Sequence, residues 1–248
     1  MGGDMRSRRF ITAILVTVSF LLSLSFAAPA AQTGDGERER FERGNQAHNR
    51  GQYEMAIIEY REVLALFGER YALAQYNIGV CHYELGRKSQ AAVWFRAAAK
   101  SRNGEYTKAL FALGVVLEDL GQWRESKAAF DRAIKASNGK SIEAIFRMGL
   151  ALHRDGDYKE AAEHYRRAID LSGDRIPACH NNLGVVMVAL GRYEQAEREF
   201  RTALEQSKDG FEDARHNLKL CRSLLTSYSP ALVADLKVSR GETMNAER

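Results

Sequence analysis

The stretch LGVVMVALGRY, residues 183–193, decides how this chain folds. It is an apolar run with one glycine at 184 and another at 191. Glycine inside a helix costs about 1 kcal/mol against alanine, so two of them in one buried run need a reason. Upstream, at a constant 35-residue spacing, the pattern recurs as MGLALHRDGDY (148–158), LGVVLEDLGQW (113–123), IGVCHYELGRK (78–88) and RGNQAHNRGQY (43–53). The glycines stand at 44, 79, 114, 149 and 184, and again at 51, 86, 121, 156 and 191. Two fixed registers held without slippage are the mark of an internal repeat.

With the first glycine numbered position 8, the units begin at 37, 72, 107, 142 and 177. Position 7 carries Ile78, Leu113, Met148 and Leu183, with Arg43 the exception, and position 11 carries Ala47, His82, Leu117, Leu152 and Met187. Beyond the second glycine come Tyr53, Trp123, Tyr158 and Tyr193, then Ala56, Ala91, Ala161 and Ala196 at position 20, with Ser126 in the third unit. Tyr60, Phe95, Phe130, Tyr165 and Phe200 follow at position 24. Spacings of three and four place these residues on helical faces. Each unit is therefore two amphipathic helices, A and B, joined at the second glycine, which ends helix A in an open or left-handed conformation. The first glycine lets helix B approach, and the position-24 aromatic fills the space. Neither helix buries its apolar face alone, so the units must stack.

This arrangement resembles the tetratricopeptide repeat family. The marks are pairs such as Leu113-Gly114, turns such as Gly191-Arg192-Tyr193, alanine at position 20, the aromatic at 24, and Ala98, Ala133, Ala168 and Ala203 at 27. The resemblance implies an all-α, right-handed superhelical solenoid of five helix-turn-helix repeats (37–71, 72–106, 107–141, 142–176, 177–211) and a capping helix over 212–228. In that last helix Asn217-Leu218 keep positions 6 and 7 while Lys219 replaces the glycine. The family's aromatic at position 4 is missing. Its proline near position 32 is replaced by Gly68, Asn103, Asn138, Gly173 and Lys208, and each unit is one residue longer than the usual 34. The extra residue belongs in the connection between units.

The first 30 residues read as a secretory signal peptide: Arg6, Arg8 and Arg9, an apolar run from Phe10 to Phe26, then Ala28 and Ala30 at an A-x-A cleavage site. The rival is an uncleaved anchor, since the run falls just short of the ~20 residues that span a bilayer. Both predict export to the periplasm or beyond, with 31–36 as a linker, and membrane attachment only where the segment is uncleaved. Removing 1–30 leaves 33 basic against 31 acidic residues, +2 in place of +4, which gives no electrostatic case for nucleic acid. Cys81, Cys179 and Cys221 are an odd number for an exported chain, so at least one is unpaired or joins two chains. Each lies in an apolar helical stretch, where a buried free thiol serves as a small hydrophobe.

By the family resemblance, the A helices line a concave groove that binds partners. Position 5 is Phe41, Tyr76, Phe111, Phe146 and then Asn181; position 9 is Asn45, Val80, Val115, Leu150 and Val185. Helical geometry sets these two columns on the side turned away from the core within each unit, rimmed by Asn77, Lys108, Arg147 and Asn182. Either the columns form an exposed apolar strip that takes a partner's peptide or helix, or neighbouring A helices bury them. One family subtype grips a peptide's terminal carboxylate. Asn45, Asn77 and Lys108 match its pattern, but Phe41 and Ala112 stand where it needs cations, so that ligand is rejected.

No catalytic or metal-binding motif emerges, and no cofactor or small-molecule substrate is expected. His153-Arg154-Asp155 imitates a kinase triplet, but Glu160 stands where asparagine is needed. In Cys81-His82 and Cys179-His180 the two side chains point about 100° apart on a helix, and no second pair stands at zinc spacing. The reading is an exported protein–protein interaction scaffold, serving an envelope assembly or secretion complex. The alternative is a self-association module, its groove filled by a second copy in a homo-oligomer or by its own tail. That tail, 229–248, carries the apolar patch ALVADLKV (231–238), and the sequence leaves open whether it packs or stays disordered.

Overall fold

In a computed structural model the described residues are 35–68, 71–208, 210–227 and 229–240. The signal peptide or anchor read at 1–30, and the linker up to residue 34, lie outside them. Contacts divide the chain into two units, 1–39 and 40–248. Of the first, only Asp35–Glu39, the opening of a helix, is described.

The described residues form twelve helices and no strand. The A helices are α1 (Asp35–Asn49), α3 (Ala72–Glu84), α5 (Thr107–Asp119), α7 (Ile142–Asp155) and α9 (Pro177–Ala189). The B helices are α2 (Tyr53–Phe67), α4 (Lys88–Ser101), α6 (Trp123–Ala136), α8 (Tyr158–Ser172) and α10 (Tyr193–Gln206). The capping helix α11 (Glu212–Thr226) and a short α12 (Pro230–Ala234) complete the chain. Helix α1 begins at Asp35, so the last two residues of the expected linker are helical. None of these helices is long and apolar enough to cross a membrane.

Local chemistry explains both kinds of turn. Gly191 adopts φ 72°; its N–H bonds Val188 O at 2.9 Å and that of Arg192 bonds Met187 O at 2.8 Å. These two bonds satisfy the orphan carbonyls of α9 in the Schellman arrangement, which needs a left-handed residue. The connections after α4 and α6 use the same device at the same place and carry the left-handed step over two residues, with Asn103-Gly104 at φ 55° and 81° and Asn138-Gly139 at 52° and 76°. Asparagine tolerates that region better than most side chains. The proline of the family pattern is therefore replaced by a left-handed step.

From α3 to α10, each A helix packs on its own B helix and on the B helix before it. The first glycine sets how close they come. A Cβ added at Gly79 would meet the Phe95 ring at 2.7 Å, and one at Gly184 the Phe200 ring at 2.6 Å. The position-24 rings Tyr60, Phe95, Phe130, Tyr165 and Phe200 are all buried, each stabilising the fold by about 2–3 kcal/mol on burial. The three cysteines are free and buried in the same interior. Burial pushes the thiols of Cys81 and Cys179 up to about 12 and that of Cys221 to about 11.

The groove of the A helices

Of the two arrangements the sequence left open, an exposed strip or buried columns, the position-5 rings take a course between: they are partly covered, and by their own unit. Phe41, Tyr76, Phe111 and Phe146 each lean on the position-24 ring of their own unit, with centroids 5.4, 5.5, 5.9 and 5.8 Å apart. Positions 5 and 8 are neighbours three residues apart on one helix. A ring pressed over the bare glycine therefore reaches position 5 as well. Phe146 is fully buried, while Phe41, Tyr76 and Phe111 keep one side partly open.

Positions 6 and 9 line the groove, with Tyr76 of position 5 beside them at the first two repeats. Val80, Val115 and Leu150 are half-buried along it and Lys108 is exposed at its edge. Arg147 spans two units to meet Glu118 at 3.3 Å. Burial raises the Glu118 carboxyl, and the Arg147 charge only partly offsets that. At the first two repeats Asn45 accepts a bond from the Tyr60 hydroxyl at 2.8 Å. Asn45, Asn77 and Val80 help to line an open cavity of about 430 Å³ there.

The other end is filled. Every residue of α9 from Ala178 to Val188 is buried, Asn181, Asn182 and Val185 among them. The chain after α12 turns back along this face. Asn182 donates from Nδ2 to Ser239 O and accepts at Oδ1 from Ser239 N, both at 2.8 Å. Asn217 does the same with Lys237, its Nδ2 reaching the carbonyl and its Oδ1 the N–H, both at 2.7 Å. Asn181 adds a 3.0 Å bond to Lys237 O and accepts from Asn217 at 2.8 Å. The two doubly bonded residues are two apart, the repeat of an extended chain. Leu232, Val233 and Leu236 pack on the core nearby. The region 229–240, left open by the sequence, is thus a packed element with a peptide-like end.

Asn217 and the tail residues Lys237 and Ser239 were absent from the sequence-derived site. A signal existed: position 6 reads Glu42, Asn77, Ala112, Arg147, Asn182 and Asn217 down the units, with asparagine at the second, fifth and sixth places. That the tail meets the row is a matter of long-range packing and leaves no local trace.

Beside this row His180 is buried, with Nδ1 2.8 Å from Glu199 and Nε2 2.6 Å from Asp174. Burial alone would pull its pKa down, but the bonds and charges of the two carboxylates raise it overall. Among the described residues no group of three or more His, Cys, Asp or Glu side chains is placed to hold a metal ion.

A stack of helix pairs whose inner face holds a chain segment by its main chain defines a helical-repeat binding module. Family models for the tetratricopeptide repeat match residues 41–107, 105–174 and 141–209, and the chain belongs to that family, whose members typically act as non-catalytic scaffolds for protein interactions. No curated protein matches it. Among solved structures it is similar to MamA from Desulfovibrio magneticus RS-1, at 21% identity over 71% of this chain and 98% of that one, with a TM-score of 0.62. YrrB, described as a TPR protein with an unusual peptide-binding site, is 23% identical over 73% and 90%, with a TM-score of 0.61. Pseudomonas aeruginosa PilF is 15% identical over 82% and 89%, with a TM-score of 0.64. At such identities these likenesses establish the fold alone.

Proposed function

We propose that this chain is an exported scaffold that binds a partner protein by taking an extended segment of it along the A-helix groove, and that it works by binding and not by catalysis. The carrying observation is the two-way bonding of Asn182 and Asn217 to Ser239 and Lys237. A groove that seats one extended chain by main-chain atoms has the chemistry to seat another. The open cavity beside Asn45, Asn77 and Val80 offers room for the partner to continue toward the first repeats. YrrB's peptide-binding description supports the same sense of use. Export rests on the signal-like segment at 1–30, and an envelope assembly or secretion complex is the setting such a scaffold would serve.

The test is in-cell photocrosslinking from a reactive amino acid placed at Val80 or Leu150, both half-buried on the groove floor. Position 146 is unsuitable because its ring is core. A discrete adduct with an envelope protein, absent when the probe sits at exposed Val93 on α4, supports the reading. Equal adducts from both positions would place binding elsewhere. Fractionation of the same cells checks export, and a wholly cytoplasmic, unprocessed chain would sink that part.

A further inference from the structure

We propose that residues 235–240 are an intramolecular stand-in for the partner, so that the partner segment is one that reproduces their seating and displaces them. This deepens the peptide-binding reading and rests on it. The groove grips the tail through the N–H and C=O of Lys237 and Ser239, beside the packing of Leu236 on the core and the contact of His216 with Asp235. Any chain other than one with proline at those two places offers the same four atoms. The side chains divide sharply: those of Lys237 and Val238 are exposed, whereas Ser239 is 7% exposed. Val238 shares a cavity of about 410 Å³ with Leu150 and Trp123.

The segment that fits is therefore extended, with a small residue at the Ser239 station, an aliphatic residue just before it, and no proline at either bonded station. The groove reads backbone, a small residue at the Ser239 station and apolar residues at the Leu236 and Val238 stations. Partner choice beyond that falls to the residues continuing toward Asn77.

The three asparagines favour an exchange, because they are buried with the tail in place and any extended chain can take up their bonds. Asn181, Asn182 and Asn217 are 0% exposed. A leaving tail hands these amides to water, whereas an arriving extended chain restores the same bonds in the same place. The tail also starts about ten residues after α11, and a short tether holds its end at an effective concentration of about a millimolar. Weak or ill-fitting segments lose to it, so the tail sets a threshold for binding.

The experiment uses a fluorescent synthetic peptide of residues 229–240 and the full chain, read by anisotropy. The parent chain binds it weakly because its own tail competes. Ser239→Trp in the chain cannot be seated in that buried place, so this variant binds the peptide at least tenfold more tightly. A peptide N-methylated at Lys237 and Ser239 binds neither chain. Equal binding of the unmethylated peptide by parent and variant would overturn the proposal, as would equal binding of the methylated one. A second readout does not depend on the variant folding. A dye at Lys237→Cys, where the side chain is exposed and the native thiols are buried, reports release of the tail from an otherwise native chain. Release by millimolar unlabelled peptide and not by its methylated form supports exchange. A tail that no peptide releases is a permanent part of the fold, and the proposal fails. These outcomes stand apart from the crosslinking result: peptide exchange without an envelope adduct would refute the cellular role and leave the seating chemistry intact.

Discussion

The ring of Phe200 occupies the place a side chain at position 184 would need: a Cβ built on Gly184 lies 2.6 Å from Phe200 Cε1. Phe200 is fully buried, so the ring has nowhere to retreat. Gly184→Ala gains about 1 kcal/mol of helix propensity and incurs about 1–3 kcal/mol of overpacking. The expected net effect is a loss of about 1 kcal/mol, seen as a lower urea midpoint. Adding Phe200→Leu should recover part of that loss relative to Phe200→Leu alone, the signature of direct coupling. Strict additivity would show that the glycine is there for another reason.

The asparagine row predicts a pattern of amide protection. In native-state hydrogen exchange the Ser239 and Lys237 amides should be slow, since Asn182 and Asn217 accept from them. Asn217→Ala should expose the Lys237 amide and destabilise the chain by about 1–3 kcal/mol, because buried partners lose their bonds. Asn182→Ala should act first on Ser239. Unchanged protection in both variants would contradict the seating.

His180 predicts a pH dependence with a definite sign. Its pKa is raised in the folded chain by Glu199 and Asp174 against the opposing effect of burial. A raised folded pKa contributes stability that is fully present below the ordinary histidine value of about 6.5 and is lost as pH climbs through the folded value. The urea midpoint should therefore fall as pH rises from about 6 through that value, and Glu199→Gln should flatten the slope. A midpoint that rises over this range would show that the histidine is not held charged.

The thiols offer a simple check on the interior. With Cys81 and Cys179 pushed up to about 12 and buried, iodoacetamide at pH 8 should leave all three cysteines unmodified in the native chain and label all three in denaturant. The thiolate is the reacting species, so rapid native labelling would reveal an opening that this packing does not contain.

Phe146 shows where the sequence reading strayed. Two columns were assigned to the groove, yet the ring at position 5 flanks position 8 and is drawn in by the position-24 aromatic. Phe146→Ala should thus cost about 3–5 kcal/mol and report on folding, not on binding. The two columns share one burial pattern: Phe41, Tyr76 and Phe111 are half-buried like Val80, Val115 and Leu150, and Phe146 is buried like Val185. Val80, Val115 and Leu150 stay at the groove floor, while Val185 is covered at the end where the tail returns.

What the sequence determined by itself was everything with a period: the helix pairs, the glycine turns, the aromatic that fills the bare position, and the tetratricopeptide repeat family that follows from them. Those features are local or nearest-neighbour, so 35-residue repetition writes each of them several times. Only the tertiary structure decided that residues 229–240 pack, and that Asn181, Asn182 and Asn217 meet Lys237 and Ser239. Those contacts join residues up to 57 positions apart and occur once. Main-chain bonding depends on where a segment lies and hardly on which side chains it carries, so the apolar patch at 231–238 offered the tail as one filler of the groove without showing which residues would be seated.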